Sequence, residues 1–307
     1  MSDQHPASGT SEPLVLSLMT DQLLSAVLPE GNLRAILATT TQISQQAREV
    51  HEVAPAASEL FARALTSGLL LASLQKENTR VNLQLTCDGP VRGYLVDASS
   101  TGTVRGYVTQ PSANTLGAPG AFRWRPLLGN KGHLSVLRDR GVGEHYRSSI
   151  ELHAYEPAGD LQRFFAISEQ LPTEVWLEAV PEQDEPLGLV AGLLLQPLPD
   201  GDPEIYQRWT ERLRGPEGFL HTLAGEPRST AELLVRLFPE TEVRLLSTKE
   251  LSWSCNCSRE RVLDAVRVMG RTELEDVLQT DKRVEATCHF CNTRYVIEEP
   301  ELRTLLN

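Results

Sequence analysis

An α+β fold is predicted for this chain of 307 residues: a larger N-terminal antiparallel-sheet domain with helices, an amphipathic helical linker, and a small C-terminal four-cysteine domain. Three observations predict it. Short runs of alternating apolar residues, such as Val81, Leu83 and Leu85, recur up to about residue 199 with only a few helical stretches between them, as antiparallel strands with helices set beside them do. From Asp200 to Lys249 the pattern changes to short apolar stripes at helical spacing, flanked by charge. Beyond that, four of the five cysteines fall between Trp253 and Tyr295, as one C-x-C and one C-x-x-C pair. The expected division is a disordered tail over 1–13, the α+β core over 14–199, the helical linker over 200–249 and the four-cysteine domain over 250–307.

Met1 to Pro13 is polar and lacks the basic and apolar regions of a secretory signal, hence the disordered tail and an expected cytoplasmic location. Leu33 to Thr39 reads as the first strand, followed by a polar helix from Thr41 to about Val50 and a break at Pro55. Ala56 to Leu74 is a long helix with Leu60, Phe61, Ala64, Leu65, Leu69 and Ala72 on its apolar face. Glu59 and Arg63 interrupt the apolar run, which falls short of the roughly 18 residues of a membrane span, so it reads as a core helix.

Val81, Leu83 and Leu85 form a strand that Asp88-Gly89-Pro90 turns. Val91-Arg92-Gly93-Tyr94 is echoed by Val104-Arg105-Gly106-Tyr107, as expected of two adjacent antiparallel strands. Neither these glycines nor Gly129-Asn130-Lys131-Gly132 have phosphate-loop spacing. Further strands are read at Leu134–Leu137, Tyr146–Leu152, Val175–Val180 and Leu189–Gln196, and a helix at Leu161–Ser168, closing the core near Pro199. Cys87, at a strand end, reads as a small half-buried residue. Ser148 and Ser149 lack a nucleophile-elbow context and the seven histidines form no H-x-x-x-H pair, so no catalytic residue is expected.

In the linker, Ile205, Trp209 and Leu213 share a helical stripe, Gly215-Pro216 breaks it, and Phe219, Leu220 and Leu223 follow. Ser229 and Glu232 make a capping box for a helix with Leu233, Leu234, Leu237 and Phe238, stopped by Pro239. These faces have little core of their own and must dock on the larger domain.

Two thiol pairs separated by a 30-residue insert, Ser258 to Thr287, suit a tetrahedral zinc site in which each pair supplies one edge. The metal ligands are therefore expected to be Cys255, Cys257, Cys288 and Cys291. Ser258 is placed to cap a helix with Val262, Val266 and Met269 on one stripe and Gly270 as its stop. Thr272 and Glu275 read as a capping box for a second helix, and strands are expected around Val284 and at Tyr295–Ile297. So small a domain holds a core worth only about 3–5 kcal/mol, against roughly 10–16 kcal/mol from a structural zinc, so metal removal should unfold it. Arg259, Arg261, Lys282, Arg283 and Arg294 could offset the charge of four thiolates, and His289 is an alternative ligand or an exposed loop residue. Disulfides within each pair would close loops too short to staple the chain and would suit redox chemistry better. A permanently structural zinc knuckle is the competing reading.

The net charge of −12, and 8 Lys/Arg against 11 Asp/Glu in residues 250–307, disfavour nucleic acid as a partner.

Cys255-Asn256-Cys257-Ser258-Arg259-Glu260-Arg261, followed by Cys288-His289-Phe290-Cys291-Asn292 and Tyr295, resembles the C-terminal signature of the heat shock protein 33 family of bacterial redox-regulated holdase chaperones. Asp88-Gly89-Pro90, Ser168-Glu169-Gln170-Leu171-Pro172 and Ala191-Gly192-Leu193-Leu194-Leu195-Gln196 resemble family segments in the same order. The resemblance covers nearly the whole chain after residue 14. It implies an ATP-independent stress-response chaperone for unfolding client proteins, inactive with zinc bound and activated when oxidation pairs Cys255 with Cys257 and Cys288 with Cys291. Separation of the two chain ends after metal loss favours the same pairing. A homodimer is a form the oxidised protein could take, and no membrane partner is expected. The alternatives are a zinc-stabilised interaction module without redox switching and a thiol-disulfide oxidoreductase, the latter disfavoured because the C-x-x-C does not open a helix in a β-α-β pattern.

Overall fold

Alternating burial along the strands builds two sheets that share one long helix. The computed structural model describes residues 19–117, 123–139, 145–182 and 185–306, and the tail expected over 1–13 lies outside them. The chain opens with β1 (Gln22–Leu28) and β2 (Leu33–Thr39), then α1 (Thr41–His51) and α2 (Pro55–Ser73). The strand expected to be first is therefore preceded by another. Gln22–Leu28 buries Leu23, Leu24, Ala26 and Leu28 in an uneven order that hides its period-two signal.

Next come β3 (Arg80–Cys87), β4 (Gly93–Ser99), β5 (Thr103–Val108), the single turn α3 (Arg125–Leu128), β6 (Gly132–Asp139) and β7 (His145–Glu151). Strands β4 and β5 pair antiparallel, with Asp97 opposite Arg105, as the V-R-G-Y echo predicts. Val91 and Arg92 belong to the preceding turn, where Gly93 adopts φ +130°, and a Cβ there would meet the Leu85 carbonyl oxygen at 2.0 Å. The core domain closes with α4 (Pro157–Phe164), which runs into a π-turn over Phe165–Glu169, and with β8 (Glu174–Glu182) and β9 (Glu185–Pro197).

Helix α2 is buried along almost its whole length because it lies between the two sheets. Proline at its first turn sets φ where no amide partner is needed. Gly68 lets it approach β4, since a Cβ would sit 2.6 Å from Val96 Cγ1. Its two charged residues are paired: Arg63 reaches Glu59 at 3.2 Å and Glu178 at 2.8 Å, and Arg123 closes on both oxygens of Glu59.

The linker folds as α5 (Pro203–Arg214), α6 (Phe219–Ala224) and α7 (Thr230–Leu237), then β10 (Arg244–Glu250). The expectation of a wholly helical 200–249 is corrected at its end. Residues 244–250 pair with β1 as the edge of the first sheet, ordered β10-β1-β2-β9-β8, and that pairing is non-local. Asp202 caps α5, and Ser229 Oγ accepts the Glu232 amide hydrogen at 3.1 Å. The reciprocal arm of the box lands one residue early, the Glu232 carboxylate accepting from Arg228 N at 2.9 Å.

Trp209, Leu213, Phe219, Leu223, Leu233, Leu234, Leu237 and Phe238 form a buried cluster with Leu24, Ala26, Leu28, Leu33, Ala35, Leu37, Leu193 and Leu195. Helices α5 to α7 thus lie as a lid over the face of the first sheet opposite α2.

The C-terminal unit follows: β11 (Ser252–Trp253), α8 (Arg259–Val268), α9 (Arg271–Thr280), β12 (Arg283–Thr287), β13 (Arg294–Glu298) and α10 (Glu299–Leu305). β11 adds parallel to β5, completing the second sheet as β11-β5-β4-β3-β6-β7. Helix α9 starts at Arg271 after Gly270, whose φ of +90° ends α8. The Thr272–Glu275 box is accordingly not formed; Glu275 pairs with Arg271 at 2.9 Å instead. The unit's core is small: Val266, Leu274, Leu278, Ile297 and Leu302. Among the described residues, no helix is long and apolar enough to cross a membrane.

Candidate metal centre

Two local structures carry the cysteines. Cys255 and Cys257 follow β11, whose course is set by Ser252 N to Gly102 O and Ser254 N to Val104 O, both 3.0 Å. Ser258 then caps α8, its Oγ accepting from Arg261 N at 3.3 Å. Cys288 and Cys291 sit on the turn of the β12–β13 hairpin, where Cys288 N donates to Thr293 O at 2.9 Å and Asn292 N to Cys288 O at 2.8 Å.

The four Sγ atoms all lie within 4.8 Å of one another. Cys255 and Cys288 are 3.7 Å apart and Cys257 and Cys291 3.3 Å. Zinc–sulfur bonds of about 2.3 Å in a tetrahedron put the sulfurs about 3.8 Å apart, so the donor set and its spacing fit a four-thiolate ion. Cys87, at the end of β3, is not in this group, and burial pushes its thiol up. His289 is exposed, with its ring 5.9 Å from that of Tyr107, and is not in the group either.

The electrostatics call for a cation. Burial pushes Cys257 up to about 12 against a hydrogen bond from Tyr295, whose hydroxyl donates to the sulfur at 3.1 Å; the neighbouring thiols add to the rise. Burial and the neighbouring thiols also raise Cys288. Burial opposes ionisation of Cys291 too, but contacts with Thr293 and the other sulfurs bring it down to about 7. One thiolate, that of Cys291, thus forms readily, while Cys257 and Cys288 are pushed toward their neutral form. A divalent ion among them would favour all four thiolates, because its charge outweighs their mutual repulsion.

The positive residues expected around the cluster are mostly engaged elsewhere. Arg259 pairs with Glu301, and both Arg283 and Arg294 pair with Glu285. The guanidinium that does approach a sulfur comes from β5 of the N-terminal domain: Arg105 Nη1 lies 3.8 Å from Cys255 Sγ and donates to Asn256 Oδ1.

Three more contacts seat the C-x-x-C turn on the N-terminal domain. Tyr107 and Phe290 rings meet at 5.6 Å, His51 Nε2 lies 3.1 Å from Phe290 O, and Asn292 Nδ2 donates to Val50 O at 2.7 Å. Sequence reasoning missed Arg105 and His51. The V-R-G-Y echo places Arg105 on a strand, but no local signal links it to residues 255–256.

Comparison with known proteins agrees with this architecture. The model of the family described as Hsp33 protein matches residues 21–298. The chain is 35% identical over 299 residues to the 33 kDa chaperonin of Synechococcus sp. (strain JA-3-3Ab), covering 96% of this chain and 93% of that one. It is 36% identical over 301 residues to the 33 kDa chaperonin of Gloeobacter violaceus, covering 94% and 96%. The crystal structure of the 33 kDa chaperonin (heat shock protein 33 homolog) from Thermotoga maritima matches with a TM-score of 0.77 at 28% identity, over 94% of this chain and 98% of that one.

Proposed function

This chain belongs to the Hsp33 family, a family of chaperones and not of enzymes, and from that premise we propose that it is a redox-regulated, ATP-independent holdase for unfolding proteins. In the proposal Cys255, Cys257, Cys288 and Cys291 hold one zinc ion in the reduced, inactive state, and the chain divides into core 14–199, linker 200–249 and zinc domain 250–307. Zinc bound there would act as a structural clamp only, keeping the two cysteine pairs on one tetrahedron.

The observation that carries this reading is the chain path between lid and cluster. The segment that covers the apolar face of the first sheet runs from α7 through β10 and β11 straight into Cys255. The lid depends on its neighbours, because its helices have 12, 6 and 8 residues and isolated helices shorter than about 12–15 residues are marginal in water. It also buries Trp209 Nε1 and Thr210 Oγ1 without a protein partner, each such group costing about 1–3 kcal/mol.

Oxidation would act on the sulfurs. Each pair of thiolates gives two electrons to a peroxide and forms an S–S bond; the peroxide O–O bond breaks and, with two protons, hydrogen peroxide leaves as two waters. With the pairs Cys255–Cys257 and Cys288–Cys291 joined, the sulfurs no longer hold the two ends together. The lid then loosens and uncovers Leu24, Leu28, Leu33, Leu37, Leu193 and Leu195, a contiguous apolar surface of the kind that binds unfolded chains.

The test measures zinc content and suppression of client aggregation on one sample before and after mild peroxide treatment. Loss of zinc together with gain of suppression is expected. Unchanged suppression after all four thiols are oxidised would reduce the chain to a zinc-stabilised interaction module. Sizing chromatography of the same samples reads whether the oxidised form is a homodimer.

A further inference from the structure

Arg105 is held in place before it meets the cysteines. Its Nε and Nη2 donate to Asp97 Oδ2 at 3.0 and 2.8 Å from the neighbouring strand, and its side chain is 16% exposed. Asp97 also accepts from Arg80, Nε to Oδ1 at 3.0 Å and Nη2 to Oδ2 at 2.8 Å. One carboxylate thus orients two guanidinium groups and fixes where the Arg105 charge stands. That charge points at the C-terminal unit: Arg105 Nη1 meets Asn256 Oδ1 and lies 3.8 Å from Cys255 Sγ, while its guanidinium sits over the Phe290 ring, 4.2 Å from the centroid. It therefore touches both cysteine segments, Cys255-Asn256 of the first pair and Phe290 inside the second.

We propose that Arg105 is the latch by which the N-terminal domain holds the C-terminal unit and senses the state of its cysteines. The proposal rests on the redox reading above. Four thiolates around a divalent ion carry a net charge of −2, which attracts the Arg105 guanidinium; two disulfides carry none. Separation of the cysteine pairs would also part Asn256 from Phe290, breaking the two-sided grip. Arg105 acts as a positioning residue: it ligates nothing, and its effect is on docking.

The experiment uses the reduced, zinc-loaded full chain with no oxidant. The readout is hydrogen exchange at the amides of Ser252 and Ser254, which bond to the carbonyls of Gly102 and Val104 just before Arg105, with zinc content measured alongside. Arg105→Ala is expected to keep one zinc per chain while these amides exchange at least about tenfold faster, the size of a lost charge-assisted hydrogen bond; Arg105→Lys should fall between it and the wild type. On oxidation the wild-type amides should accelerate more than those of Arg105→Ala. Unchanged exchange in zinc-loaded Arg105→Ala overturns the proposal. So does loss of zinc from that variant, which would make Arg105 part of the metal site's own stability. If Arg105→Ala does not fold, the double variant Asn256→Ala, Phe290→Ala removes the same contacts from the other side and is judged by the same outcomes. Client suppression after peroxide is scored separately, so failure of the holdase reading is distinguishable from failure of the latch.

Discussion

His51 Nε2 lies 3.1 Å from the carbonyl oxygen of Phe290, a contact between residues 239 positions apart that joins the end of α1 to the C-x-x-C turn. The His51 ring also stands edge-on to Phe61 and Trp253, with centroids 6.0 and 6.1 Å away. Burial pushes its pKa below the ordinary 6.5, against hydrogen bonds to the backbone of Phe290 and Gly106.

A depressed histidine pKa means that the undocked state takes up the proton first. His51 therefore supports docking fully above pH 6.5, its ordinary value, and that support is lost as pH falls from there through the lowered value. Acid also protonates the thiols, so His51→Asn serves as the comparison, keeping a hydrogen-bonding group that does not titrate. Between about pH 7.5 and about pH 5.5, exchange at Ser254 should accelerate more in the wild type than in His51→Asn at equal zinc content. Parallel profiles would remove His51 from the account.

Replacing Cys255 and Cys288 together by serine should abolish stoichiometric zinc, whereas Cys87→Ser should leave it intact, as read by metal analysis of reduced protein. The double variant, or chelation of the wild type, should unfold the C-terminal unit, whose core of Val266, Leu274, Leu278, Ile297 and Leu302 is too small to stand alone; the lost clamp is worth roughly 10–16 kcal/mol. Circular dichroism and proteolysis of residues 250–307 check it.

Peptide mapping after oxidation should find Cys255 joined to Cys257 and Cys288 to Cys291. Proximity does not select this outcome, since Cys255–Cys288 and Cys257–Cys291 are also close at 3.7 and 3.3 Å. What favours neighbours is the separation of the two chain ends once the sulfurs no longer share an ion. A majority of Cys257–Cys291 links would mean that the ends stay docked while they oxidise.

Trp209 anchors the lid: it is 5% exposed and meets Phe238 at 5.1 Å. Trp209→Ala should weaken the lid by about 3–5 kcal/mol and give reduced, zinc-loaded protein that suppresses client aggregation without peroxide. Trp209→Phe should stay within about 1 kcal/mol of wild type, because the indole N–H it removes has no protein partner. In the oxidised wild type under mild heat, amides from Ile205 to Phe238 should lose protection while the strands around Leu83 and Leu193 keep theirs. A lid as protected as those strands while client binding switches on would refute the proposed exposure.

Much of the molecule was legible in the amino-acid order because its signals are local. The capping serines Ser229 and Ser258 lie three residues from the amides they accept from. The V-R-G-Y echo marks the β4–β5 hairpin, though Val91 and Arg92 fall in the turn before it, and the paired cysteines mark their own site. Where two local signals competed, one displaced the other: α9 begins at Arg271, directly after Gly270, where its own turn pairs Arg271 with Glu275, and not at the expected Thr272 box. The strand status of Arg244–Glu250 comes from pairing with Gln22–Leu28 across the chain.

The charge around the cysteines shows the same division. Four thiols two and three residues apart determine, by themselves, that a thiolate cluster can form and that a cation would stabilise it. Which cation of the chain faces it depends on the fold. Arg259, Arg283 and Arg294, close in sequence, are drawn to carboxylates on the same small unit, Glu285 and Glu301, while Arg105, 150 residues before Cys255, arrives because β11 adds to β5. Strand pairing is a choice among distant partners settled by the burial of whole faces, and no short stretch of sequence contains it.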